Sequence, residues 1–285
     1  MHLVSCGLSS QLGGAVAPLI IVPIQVHFGW RASFYVFGIV GVAWAGAWWS
    51  WYRNYPQEKP GITDRELAEV GPPPHGSAHA FPWKAIGANK SVWAIMASTF
   101  AYMYSYCFFL FWLPTYMMRE RGFTEGETKL SALPFVLGGI TNLAGGYARD
   151  AAIRRWGAKV GPRVVALTGI IAASISAYSA FASVNRYVAF AWLALCYAGI
   201  TFQQPTVWAT CVEIGQRYAG AVAGCMNTAG ALGGLSSSLI FGYLVQRSGN
   251  YNTVLLSMAG ILLAGAALWL PTDATESLAA DRSGG

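Results

Sequence analysis

The chain has 285 residues, of which 55% are hydrophobic and only 11% charged, with a mean hydropathy of +0.43. A soluble domain would carry about a quarter charged residues, so the composition excludes one. The net charge of +6 sits in short loops between apolar runs, which is the pattern of membrane sidedness and not of nucleic-acid binding.

Eight apolar segments of near bilayer-spanning length follow one another, at about 3–26, 32–52, 91–117, 131–149, 163–182, 187–210, 219–245 and 251–271. They predict an all-α integral membrane fold. The short alternating segments of a membrane β-barrel are not present. The first span carries Gly13-Gly14 in its middle and an uncharged amide, Gln11, two residues earlier. It has no basic flank and no clear cleavage site, so it is not read as a signal peptide. His27 and Gly29 mark the turn into the second span, and Trp48, Trp49, Trp51 and Tyr52 crowd that span's far end as an interfacial belt would.

Residues 53–90 form a polar linker with Pro56, Pro60, Pro72, Pro73, Pro74 and Pro82. Within it Thr63-Asp64-Arg65-Glu66 has the form of a capping box and predicts a short helix over 64–70, which the prolines end. In the third span Tyr102 and Tyr106 are one turn apart and share a face, while Tyr104 points elsewhere. The fourth span ends in Gly145-Gly146-Tyr147-Ala148-Arg149-Asp150, followed by Arg154-Arg155. The sixth carries Gln203, Gln204, Pro205, Thr206 and Trp208; Pro205 predicts a kink, and adjacent glutamines face different directions. The seventh carries Asn227 and Gly233-Gly234, whose small surfaces favour close helix approach.

Lysines and arginines divide 12 to 6 between the two sides, which puts the linker and the C-terminal tail in the cytoplasm. None of the 12 acidic residues lies mid-span, and no basic residue does either. The five cysteines lie in or beside apolar segments without CxxC or metal-ligand spacing, so they read as packing residues. No GxSxG, HExxH or His/Asp cluster occurs, and no enzyme activity, metal or cofactor is expected.

The positions Gly13, Gly14 and Gly29 recur as Gly233, Gly234 and Gly249 at a constant shift of 220 residues, each set leading into a terminal span. This reads as parallel duplication of a six-helix unit whose first copy lacks its first four helices, so that the whole would hold twelve spans in about 415 residues. On that plan, residues 1–52 are the last two helices of an N-terminal bundle and 53–90 are a central cytoplasmic loop. Residues 91–272 are then a complete C-terminal six-helix bundle, and 273–285 a cytoplasmic tail.

This plan resembles the major facilitator superfamily, of which the segment would be helices five to twelve. Gly145, Gly146, Asp150 and Arg154 resemble that superfamily's loop motif between the second and third helices of a half. There the glycines would allow tight helix contact, and Asp150 would accept hydrogen bonds at a neighbouring helix N-terminus. A narrower resemblance is to the anion:cation symporter family. It rests on Phe111-Trp112-Leu113-Pro114-Thr115-Tyr116, Arg121-Gly122-Phe123, Leu133-Pro134-Phe135, Gly29-Trp30-Arg31, Ile62-Thr63-Asp64-Arg65-Glu66-Leu67 and the helix carrying Gly220, Gly224, Asn227 and Gly233.

That resemblance implies proton-coupled symport of an organic anion, a sugar acid or related carboxylate, by alternating access in a bacterial inner membrane. The partners it implies are the small organic anion, protons and the lipid bilayer. It places the coupling acid and the anion-pairing cation on helices one and four, outside these residues. Substrate contacts here would then be neutral and aromatic: Gln11, Tyr102, Tyr106, Trp208 and Asn227, each of which could instead lock or pack helices. A non-transporting remnant and a receptor or sensor on the same fold stay open as alternatives.

Overall fold

The computed structural model describes residues 27–53 and 83–273 continuously, with residues 20–21, 23–24, 58, 61, 63, 275 and 278 besides. Gln11, Gly13-Gly14 and the linker helix expected over 64–70 lie outside the described residues. The chain divides into two compact units, one drawn from residues 14–80 and the other dominated by 81–285.

In the first unit, helix α1 spans Trp30–Trp51 and begins after Gly29. Nearly all its side chains are exposed, Ser33 being the buried one. Its last turn carries the expected aromatic cluster, with Trp48 stacked on Tyr52 at 4.8 Å between ring centroids. The Arg53 guanidinium donates to the carbonyls of Ser50 and Tyr52 at 3.2 and 2.8 Å, a cation placed where the helix dipole and the last free carbonyls favour one.

The second unit is a helical bundle. After the short helix α2 (Trp83–Ala88), Asn89 caps α3 (Lys90–Cys107), its side-chain oxygen accepting from the Ser91 and Val92 amides. The span continues through a π-turn at Phe108–Trp112 into α4 (Leu113–Arg119). Pro114 has no amide hydrogen to offer, and the Leu113 amide reaches back five residues to the Phe108 carbonyl, so the ladder shifts register without ending.

A 3-10 segment, Glu125–Ala132, leads to α5 (Leu133–Ala182), and Asn185 caps α6 (Arg186–Phe202). Then come α7 (Gln204–Gly215), α8 (Ala219–Ser248) and α9 (Asn252–Trp269).

Five segments among the described residues are long and apolar enough to cross a bilayer. Two of them reverse direction inside. Helix α5 breaks at Gly157 (φ 81°, ψ 168°), and a Cβ placed on Gly161 would lie 2.7 Å from the Ala152 carbonyl carbon. Residues nine apart in a straight helix are about 13 Å apart, so the chain has folded back into legs 133–156 and 158–182. The segment from α6 to α8 reverses likewise at Gln216 (φ 44°). Seven membrane-length legs result among the described residues, and each overlaps one predicted span, with ends that differ by up to seven residues. The one remaining predicted span, 3–26, lies almost wholly outside them.

The bundle interior is built on large, fully buried aromatics, including Tyr104, Phe108, Phe109, Tyr197, Phe241 and Trp269. Close backbone approach supplies the rest. A Cβ on Gly233 of α8 would lie 2.4 Å from the Phe100 carbonyl oxygen of α3, and one on Gly199 of α6 would lie 2.7 Å from the Gly169 carbonyl oxygen. Lipid offers no hydrophobic drive between helices, so such small-residue contacts hold them together by dispersion.

Candidate functional site

The most informative local structure is the interruption between α6 and α7. Pro205 cannot donate to the carbonyl of Thr201, and the Thr206 amide turns to the Gln203 carbonyl at 3.0 Å instead of reaching Phe202. The Thr201 carbonyl keeps only the Gln203 amide two residues on, and the Phe202 carbonyl loses the Thr206 amide, in the middle of a membrane-length leg where a bare carbonyl costs on the order of several kcal/mol. The first leg of α5 packs against both. Asn142 donates its amide to the Thr201 carbonyl at 3.3 Å, and the Thr141 and Thr201 hydroxyls lie 2.9 Å apart.

The Phe202 carbonyl occupies the space above Gly145, where a Cβ would lie 1.9 Å from its oxygen. Gly138 meets the Tyr197 ring in the same way, at 2.3 Å. Residues 138, 142 and 145 lie on one helical face, and their partners ascend with them, so the two helices run parallel.

The glycine-rich motif is therefore the seat of the proline break. Gly145 and Gly146 are both buried, as tight contact requires. Its charges are distributed differently from expectation. Asp150 was expected to accept at a helix N-terminus, but its side chain is 63% exposed and 3.8 Å from its neighbour Arg149. Arg149 is the buried charge, and it donates to and pairs with Glu213 of α7. Arg154 is exposed.

The expected substrate-contacting residues fall into separate groups. Tyr102 and Tyr106 stack at 5.5 Å, and Tyr106 continues to Tyr197 at 6.1 Å. Tyr104 turns away, fully buried, and donates to Ser257 at 3.0 Å. Trp208 is 37% exposed on α7, on the same face as Val212.

Asn227 is exposed on α8, whose outer surface carries two stripes. Leu232, Leu235 and Leu239 make one, suited to acyl chains; Gly220, Gly224, Asn227, Ala231 and Ser238 make the other, small and polar. Among the described residues no hydrogen bond or ring contact joins Trp208 or Asn227 to the tyrosine pair. Gln203 and Gln204 are both buried, at 1% and 9% exposure.

Residues 4–238 match the sequence profile of the Major Facilitator Superfamily. The chain belongs to that superfamily. It is 28% identical over 264 residues to the "Probable sulfoacetate transporter SauU" of Cupriavidus necator, covering 90% of this chain and 61% of that protein. It is 27% identical over 257 residues to the hexuronate transporter of Bacillus subtilis, covering 88% of this chain and 60% of the relative. It thus spans about three fifths of the length of these two curated relatives.

The crystal structure of a bacterial homologue of the human lysosomal transporter Spinster, inward-facing and unoccupied, superposes with a TM-score of 0.53 at 15% identity. That superposition covers 91% of this chain and 63% of the other, and it speaks for the fold. Major Facilitator Superfamily proteins are transporters and not enzymes, in agreement with the missing catalytic motifs.

Two polar clusters close the ends of this superfamily member's bundle, and neither was singled out from the sequence as a cluster. At the end away from the linker, Arg121 donates to the Tyr116 hydroxyl (2.6 Å), the carbonyls of Ser183 and Ala180 (2.6 and 2.8 Å) and the Asn252 side-chain oxygen (2.8 Å). Glu120 accepts from the Tyr251 amide and the Asn252 side chain.

At the linker end, Lys159 pairs with Asp273, Arg163 donates to the Thr272 carbonyl, and the Asp273 amide donates to the Ser91 hydroxyl at 2.9 Å. The Leu278 amide then caps the Ile214 carbonyl at 3.0 Å. The start of the expected tail is thus strapped across three helix ends. Burial of Asp273 pushes its carboxyl up, but hydrogen bonds from Lys159 and Thr275 outweigh this and hold it at about 2.

Proposed function

We propose that this chain belongs to a secondary transporter that carries an organic anion, a sugar acid or related carboxylate or sulfonate, by proton-coupled symport. Its helices would rock so that a midplane site opens alternately to either side. The observation that carries the reading is superfamily membership together with relatives whose names specify sulfoacetate and hexuronate.

Tyr102, Tyr106, Trp208 and Asn227, with Gln11, are the proposed substrate contacts. The small polar stripe around Asn227 supports this, because it differs from the leucine stripe beside it and does not suit lipid. The linker and the strapped tail are proposed to be cytoplasmic, in a bacterial inner membrane, on the 12-to-6 division of basic residues.

The scarcity of charge along the spans shapes the mechanism. Every acidic residue among the described spans lies within about two turns of a leg's end, and a proton-driven cycle needs a titratable group in its cavity. On this reading the coupling group comes from outside these residues.

The test is uptake by proteoliposomes that hold the purified chain, alone and assembled with the portion of the hexuronate relative that the chain does not cover. Labelled glucuronate or sulfoacetate should accumulate in the assembled form under an outside-acid gradient, and a protonophore should abolish this. Accumulation indifferent to the gradient would remove the proton coupling. Failure of the assembled form to move any sugar acid or sulfonate would remove the transport reading.

A further inference from the structure

Threonines in this bundle usually fold their hydroxyl onto the carbonyl one turn back. Thr99, Thr141, Thr168, Thr201 and Thr228 all do so, at 2.8–3.0 Å. Thr206 and Thr210 do not. Both are fully buried, and both hydroxyl oxygens lack a protein partner. The side-chain nitrogen of Gln203, a residue 1% exposed, lacks one as well.

The cause at Thr206 is local. Its usual acceptor would be the Phe202 carbonyl, which the proline break has turned toward Gly145. Positions 203, 206 and 210 lie on one helical face, so three unpaired polar groups share a single tract beside the break. At one end of it the Ser98 hydroxyl lies 3.4 Å from the Gln203 oxygen and accepts from the Trp269 indole.

We propose that this tract binds internal water, which bridges Gln203, Thr206 and Thr210 and makes the break a hydrated hinge in the 186–215 leg. The chemistry selects water over a cation. The tract is neutral, its Ser98 oxygen is already engaged by an indole N–H, and the Gln203 amide presents donors that a cation would meet unfavourably. Spacing agrees. Side chains four apart on a helix lie about 5–6 Å apart at Cβ, and one water joining two hydroxyl oxygens spans about 5.5 Å.

A buried water typically makes about three hydrogen bonds to otherwise unpaired groups, and this tract supplies them. Water can exchange partners as a helix bends, whereas Asn142 and Gly145 on the other side of the break cannot. The segment Gln204–Gly215, which carries Trp208, therefore has a fixed side and a compliant side.

Two measurements on the purified chain in detergent test this. A density map that resolves ordered solvent should show peaks within about 2.7–3.2 Å of both threonine hydroxyls. Hydroxyls turned onto backbone carbonyls with no such peak would overturn the proposal.

The thermal midpoint of the double variant Thr206→Val, Thr210→Val gives an independent sign. Valine keeps the shape and removes both hydroxyls. If water is bound, its loss strands Gln203 and the midpoint falls. If the tract is dry, two unpaired hydroxyls are removed and the midpoint rises or stays unchanged, which would overturn the proposal.

Discussion

The two sides of the Pro205 break meet the same difficulty with different chemistry. On the α5 side, each carbonyl has a fixed neighbour: the Asn142 side chain donates to Thr201, and Phe202 lies against the bare Cα of Gly145. On the other side, Gln203, Thr206 and Thr210 bury polar atoms without protein partners. The first side holds one geometry, because a carbonyl above a glycine tolerates neither a larger residue nor a displaced helix. The second leaves the helix free to bend. A proline in a spanning helix is thus tolerated through asymmetric support, and the asymmetry decides which way the helix can move.

The most severe way to break this contrast is Gly145→Ala. The added Cβ falls 1.9 Å from a backbone oxygen, so the helices must separate, and we expect a loss of about 3 kcal/mol or more. Gly139→Ala is the control. Nothing lies within 4 Å of its Cβ position, and the change should stay within about 0.5 kcal/mol. Thermal midpoints of the two proteins compare them directly.

Next in size is Arg149→Ala, which strands Glu213 below the glycine seat. The Glu213 side chain is 44% exposed, so the cost is discounted to about 2 kcal/mol from that of a fully buried pair. Pairing it with Glu213→Gln should return part of the loss in a double-mutant cycle.

Asn142→Leu tests the receptor role itself. It leaves the Thr201 carbonyl with only the Gln203 amide two residues on and should cost about 1–2 kcal/mol. In a Pro205→Ala background the restored amide can bond that carbonyl, so the same substitution should cost much less. Equal costs in the two backgrounds would show that Asn142 does not serve the proline break.

The smallest effect concerns the strap at the linker end, which borders water. The Asp273 carboxyl is held at about 2, below its ordinary 3.8. Its contribution is therefore present above pH 3.8 and is lost as the pH falls through about 2. Resistance of the C-terminal segment to proteolysis should be flat from neutral pH down to about 4 and fall below that. Asp273→Asn should remove the pH dependence.

Much of the fold was legible because spans advertise themselves by length and composition. The leg beginning at Lys90, the turn at Gly249 and the aromatic end of α1 fall where the pattern placed them. Pro205 predicted an interruption and one is present.

The polar contacts were not legible. Asn142 and Thr201 are 59 residues apart, and Arg149 and Glu213 are 64 apart. Nothing in either neighbourhood names its partner. Asp150 shows the same limit: the motif drew attention to its carboxylate, whereas the contact between helices that the structure displays there is made by its neighbour Arg149, which pairs with Glu213.

By itself the sequence determined the solvent of this protein. Apolar runs long enough to cross a bilayer, mid-spans without charge and basic loops follow from what lipid and water each accept, and they need no knowledge of which helix meets which. Only the tertiary structure decided where the polar groups of the interior find partners. Those partners lie on other helices, and a hydrogen bond between helices is fixed by rotation and depth, which one-dimensional periodicity does not carry. Gly145 shows the division: its smallness is visible in the chain, but the Phe202 carbonyl that requires it becomes visible only when the two helices are laid together.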